Sequence, residues 1–176
     1  MTTNQLSVHN WMHAFGQVVN NKPTNIDNDT RLLRARLIYE EAIETVTALG
    51  CYVGNQGVKL NFHSSGFVVD KVKLVDGLAD LDVVRLGTAS AYGISMRHIP
   101  NIVMQSNNSK SWTGEEVNHI QNSTCFVIKP LVDIDGLFVV QDHYGKILKP
   151  PSFIPPEAAI AVELKRQERD GIYTDS

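Results

Sequence analysis

Leu37-Ile38-Tyr39-Glu40-Glu41-Ala42-Ile43-Glu44 is the stretch whose reading decides the fold. At about 100° per residue, a helix places Glu40, Glu41 and Glu44 within one arc of roughly 100°. Leu33, Leu37 and Ala48 fall on or beside the same arc. A solvated face would alternate its acids with Lys, Gln or Ser. Here three acids interrupt an apolar stripe, and none has a base four positions on. Like charges at that spacing repel, and bare carboxylates are costly to bury. A divalent cation offsets both costs. Oxygen-only ligands suit Mg²⁺ or Mn²⁺.

The periodicity around this stretch predicts a helix from Arg31 to Leu49, capped by Asp29 or Thr30 and stopped by Gly50. Leu6, Trp11, Phe15, Val18 and Val19 predict a helix over residues 5–20. A third helix is expected from Lys71 to Tyr92, ended by Gly93. It carries Asp76 and Asp80 at i and i+4 on one face, with Asp82 on nearly the opposite side. Two helices with acids on apolar faces can converge on metal inside a bundle. An isolated EExxE is most simply surface charge; the second acidic pair weighs against that reading here. A fourth helix is expected from Met96 to Ser106, with Pro100 in its first turn.

The remaining segments read as smaller pieces. Residues 51–70, broken by Gly54, Gly57 and Gly66, suggest a loop or short hairpin. Glu115 to Gln121 suggests a short helix. FVIKPLVDIDGLFVVQD predicts two strands around Asp135-Gly136, with Pro130 marking the first as an edge strand or ending it early. A last helix is expected from Pro156 to Arg169. The fold class is thus mainly α: a four-helix bundle with a small β-hairpin insertion at about 112–145 and a C-terminal helix. One domain over 1–176 is expected.

Composition narrows the partners. The chain has 176 residues, 43% of them apolar and 20% charged, with a net charge of −3. These values exclude disordered and collagen-like chains and argue against a nucleic-acid coat, which needs a basic excess. Two cysteines make no disulfide framework. The first residues lack a basic n-region, and no apolar run approaches the roughly 20 residues of a membrane helix. A soluble protein of the cytoplasm, without membrane or nucleic-acid partners, is expected. His9 and His13 are spaced like a metal pair, but Asn10 stands where an HExxH hydrolase needs Glu. Trp11, Phe15 and Ile38 are candidates to line a ligand pocket, but the core, the usual place for large apolar residues, is the stronger expectation for each.

Four segments in order resemble the MazG-like all-α nucleoside triphosphate pyrophosphohydrolases. They are RLIYEEAIETVTAL, VDGLADLDVVRLGTASAYGI, IPNIVMQSNNSK and GKILKPPSFIPP. The look is similar to phage MazZ-type enzymes that act on dGTP and dATP, which would place the protein in a host cytoplasm. The resemblance implies hydrolysis of a triphosphate to monophosphate and pyrophosphate. It implies Glu41, Glu44 and Asp80 as metal ligands, Asp76 as a fourth, and Glu40 as a ligand or the base that orients water. It also implies that Asn107 and Lys110 contact phosphate or sugar, and that Lys146 and Lys149 close over the triphosphate. Homodimers or homotetramers are implied too. The family's second motif is usually ExxD; here Asp80 fits, but Gly77 stands at the Glu position, with Asp76 one residue earlier. A non-catalytic helical module binding a nucleotide or partner is the alternative. A di-iron bundle would need a Glu-x-x-His motif from each of two helices, and the chain has that spacing once, at Glu116 to His119.

Overall fold

Three helices carry the first part of the molecule, and each begins at a side-chain cap. α1 runs Thr3–Ala14, with Thr2 accepting from the Gln5 N–H. α2 runs Asn28–Ala48, with Asp27 accepting from the Thr30 N–H. α3 runs Lys71–Ala91, with Asp70 accepting from the Val72 and Lys73 N–H groups. Such caps satisfy donors that the helix cannot. A computed structural model describes residues 1–53, 60–62, 69–120, 126–132 and 134–172. Among the described residues, β1 (Cys51–Val53) and β2 (Leu60–Phe62) pair antiparallel, as a short hairpin over 51–70 requires.

The chain forms two compact units, residues 1–97 with the segment from Arg166, and residues 98–165. In the first unit α3 packs against both α1 and α2. The buried side of α1 is Gln5, His9 and Met12 rather than its aromatic residues. Trp11 and Phe15, expected in the core, are 47% and 70% exposed and stack on each other at 4.9 Å. Ile38 is exposed as well. The expected helix over 5–20 stops at Ala14, where Gly16 takes a positive φ. Polar side chains fill the buried places instead. Gln5 Nε2 donates to the Ile94 carbonyl at 2.6 Å, and its Oε1 accepts from the Met96 N–H at 2.9 Å. Gln167 clamps Ser95 by both backbone groups, at 2.8 and 2.9 Å. Buried amides are tolerated because every polar atom is paired.

Gly93, which ends α3, has φ +64, and a Cβ there would meet the Lys22 carbonyl oxygen at 2.0 Å. Only glycine fits both demands.

In the second unit α4 (Ile99–Asn108) carries Pro100 in its first turn. β3 (Trp112–Thr113), β4 (Val127–Pro130) and β5 (Leu137–Gln141) form an antiparallel sheet in the order β3-β5-β4. β4 is an edge strand and ends at Pro130, both as Pro130 requires. β3 was not anticipated by the sequence pattern; at two residues it carries no period. α5 (Gly114–Ile120) starts at a reciprocal capping box. The Thr113 N–H donates to Glu116 Oε2 at 2.9 Å, and the Glu116 N–H donates to Thr113 Oγ1 at 3.3 Å. Trp112, Val117 and Val140 form this unit's core, with Ile128, Phe138 and Leu148 packed against it. α6 (Glu157–Asp170) follows. The mainly helical class is as expected.

Candidate active site

The buried side of α2 comprises Arg34, Thr45 and Ala48. Glu41 lies on that side, seven residues after Arg34 and four before Thr45, and is half-buried. Glu40 and Glu44 flank it and are exposed, as are Asp76 and Asp80 on α3. Partial loss of water first, and then the charges of Asp80, Glu44, Glu40 and Asp76, hold the Glu41 carboxyl above its ordinary value of 4.5. Four carboxylates from two helices thus act on Glu41. None of the five takes part in an ion pair among the described residues. Asp82 behaves differently: it pairs with Arg85 in an exposed i,i+3 bridge, outside the acidic group.

A cleft of about 590 Å³ runs along this seam. Glu44 and Thr47 line it from α2, and Asp70, Lys73 and Asp76 from α3. The sequence reading missed Asp70, Lys73 and Thr47. Asp70 was recognisable as an acid just before the first residue of a helix; Lys73 and Thr47 carried no signal.

The departure at Gly77 has a steric cause. A Cβ at Gly77 would lie 2.7 Å from Thr45 Oγ1 and 3.3 Å from Thr45 Cα. Thr45 Oγ1 is itself held, donating to the Glu41 carbonyl at 2.8 Å. A side chain at position 77 would have to displace Thr45 where α2 and α3 cross this closely. Asp76, one residue back, is directed into the cleft instead.

The donor set fits a hard divalent cation in kind: oxygen only, and strongly negative. As the side chains stand, no three Asp, Glu, His or Cys groups among the described residues are gathered closely enough to hold a metal. The exposed acids are free to change rotamer.

The remaining candidates lie in the second unit. Lys110 Nζ donates to Asn107 Oδ1 at 2.7 Å, and both residues line one cleft. Lys146 is exposed, and Lys149 Nζ sits 4.4 Å from the centre of the Phe153 ring. In the first unit His9 and His13 line a separate cleft with Asn10 and Asn21. No helix of the described residues is long and apolar enough to cross a membrane.

Residues 8–107 match the family model of phosphoribosyl-ATP pyrophosphohydrolase. The match takes in the second half of α1, all of α2 and α3 and all but the last residue of α4, hence both acidic helices, and stops before the strands β3 to β5. No curated protein matches the chain. With more than half its length matched, both acidic motifs included, the chain belongs to the phosphoribosyl-ATP pyrophosphohydrolase family, MazG-like helical enzymes that release pyrophosphate from a nucleotide.

Proposed function

We propose that the protein hydrolyses a deoxynucleoside triphosphate, a purine one such as dGTP or dATP, to the monophosphate and pyrophosphate. The observation that supports this reading is the set of five carboxylates on α2 and α3, four of them acting on Glu41 and none paired with a cation among the described residues, inside a matched pyrophosphohydrolase segment. Water attacks the α-phosphorus, the bond from that phosphorus to the bridging oxygen breaks, and pyrophosphate leaves in line. The water's proton passes to a carboxylate or to solvent. Glu41, Glu44 and Asp80, with Asp76, would hold Mg²⁺ or Mn²⁺. Such ions supply charge neutralisation and lower the pKa of water. Glu40 orients the attacking water or joins the ligands. Asn107, Lys110, Lys146 and Lys149 are proposed substrate contacts, on the strength of the family resemblance. Positioning and electrostatics account for most catalysis of this type.

The proposal extends to a homodimer or homotetramer. Val72 and Val75, 80% and 65% exposed on α3, give such an assembly an apolar surface to cover. It also extends to action in the cytoplasm, a host's if the gene is a phage's. A second reading, a nucleotide-binding module without turnover, draws on Gly77 at the usual Glu position.

Purified protein incubated with dNTPs, NTPs and phosphoribosyl-ATP, each with Mg²⁺ or Mn²⁺, tests these readings. Monophosphate with equimolar pyrophosphate from dGTP or dATP is expected. Turnover of phosphoribosyl-ATP alone would reassign the substrate. Diphosphate with orthophosphate would remove the mechanism, and binding without turnover would favour the module.

A further inference from the structure

β5 reads Leu137-Phe138-Val139-Val140, apolar on both faces. Successive strand residues point to opposite sides. Phe138 and Val140 turn into the core with Trp112 and Val117. Leu137 and Val139 therefore turn the other way. An antiparallel sheet usually gives its solvent face polar residues, and this face has none at these two positions. It forms instead the floor of a cleft of about 450 Å³, walled also by Leu131, Ile134 and Ile147. The same cleft is lined by Asn107, Asn108, Lys110 and Ser111, from the end of α4 and the turn after it.

The size and the lining are those of a small-molecule site, mostly apolar with a few convergent polar groups. The polar side is specific in kind. Asn108's side chain makes no hydrogen bond among the described residues, so its carboxamide is free to donate and accept together. Lys110 is the one cation in the described lining, which holds no carboxylate. A flat heteroaromatic ring suits the aliphatic floor, its edge suits an amide, and an attached phosphate suits the ammonium.

We propose that this cleft, built by the end of α4 and, for the rest, by the strand-bearing segment beyond the family match, seats the base of a nucleoside phosphate. The reading of the chain as a nucleotide hydrolase guides the choice of ligand, and the cleft is argued separately from the acidic helices. Ile134 and Ile147 are about half exposed, so changing them leaves the core untouched. The four deoxynucleoside 5′-monophosphates are titrated calorimetrically into the full chain and into Ile134→Glu and Ile147→Glu, with deoxyribose 5-phosphate as the baseless control. At least one monophosphate is expected to bind, deoxyribose 5-phosphate at least tenfold more weakly, and each variant to raise the dissociation constant at least tenfold. Two sources of the nucleotide are then separated by kinetics. A matching rise in KM for the triphosphate means that the substrate's own base occupies the cleft. An unmoved KM means that a separate nucleotide does. Binding by no monophosphate, or equal binding by wild type and both variants, would overturn the proposal. So would variants that break a dimer by sedimentation while monophosphate affinity holds, because a second chain would then cover the face. Absence of turnover in wild type, with monophosphate binding intact, would remove the hydrolase and leave the cleft.

Discussion

The two halves of α3 are about equally apolar in sequence and opposite in structure. From Lys71 to Val83 the helix exposes Val72, Val75 and Leu78 and presents Asp76 and Asp80. From Val84 to Ala91 nearly every residue is buried, the glycine and serine included. Apolar content does not separate the halves; their neighbours do. Met12 and Val8 of α1, with the Arg34 side chain, close around Gly87, whereas the first half meets α2 across Thr45 and Gly77. One rod thus serves as core at one end and as a charged surface at the other.

That contrast can be broken experimentally, beginning where the effect is largest. Glu44→Gln, across the cleft from the first half, is expected to lower turnover by about 10³-fold, beyond the 10–100-fold typical of outer-shell partners of a metal. Its urea midpoint should match wild type. Full activity would make the first half ordinary surface. Leu86→Ala, in the second half and 3% exposed, is expected to cost about 3 kcal/mol by urea unfolding, as buried large-to-small changes do. A cost below about 1 kcal/mol would mean that this half is not the packed end.

Gly77→Ala probes the boundary. Alanine favours a helix over glycine by about 1 kcal/mol, yet overpacking against Thr45 costs about 1–3 kcal/mol. A small net destabilisation is expected, and Thr45→Ala in the same chain should recover part of it. Strict additivity in that cycle would show that the two residues do not meet.

The smallest effect concerns His9 on α1, the helix that buries the second half. Burial first, and the charge of His13 second, lower its pKa from 6.5. A lowered folded pKa means that the unfolded chain binds the proton more readily. The stability that His9 contributes is complete above 6.5 and is lost as pH falls through the window below it. Thermal midpoints should drop between pH 7 and pH 5, and less so in His9→Gln. Parallel curves for the two proteins would exclude His9 as the source.

Much of this was legible in the residues, and the gaps have physical causes. α2, α3, α4 and the β4–β5 pair follow from apolar spacing, glycine stops, Pro100 and the Asp135-Gly136 turn, which act locally; the cap of α2 is Asp27 and not the expected Asp29 or Thr30. The acids of EExxE and Asp76/Asp80 were recognisable because a charge on an apolar face is anomalous. What failed was the apolar face of α1. Counting aromatic residues pointed inward with Trp11 and Phe15, but Gln5 occupies the interior because the backbone at Ile94–Met96 needs hydrogen-bond partners, and His9, one turn on, is buried with it. That need arises from residues about ninety positions away and leaves no local trace. The crowding at Gly77 is equally non-local, set by Thr45 on another helix.

Gln167 holding Ser95 has one more consequence. The polypeptide leaves the helical body just after residue 95 and rejoins it just before residue 167, and these two places are hydrogen-bonded neighbours. The exit and the re-entry thus lie side by side on one body. Such a junction lets a gene lose or exchange its intervening cassette without re-threading the parent scaffold, a ready route by which related chains could trade one appendage for another.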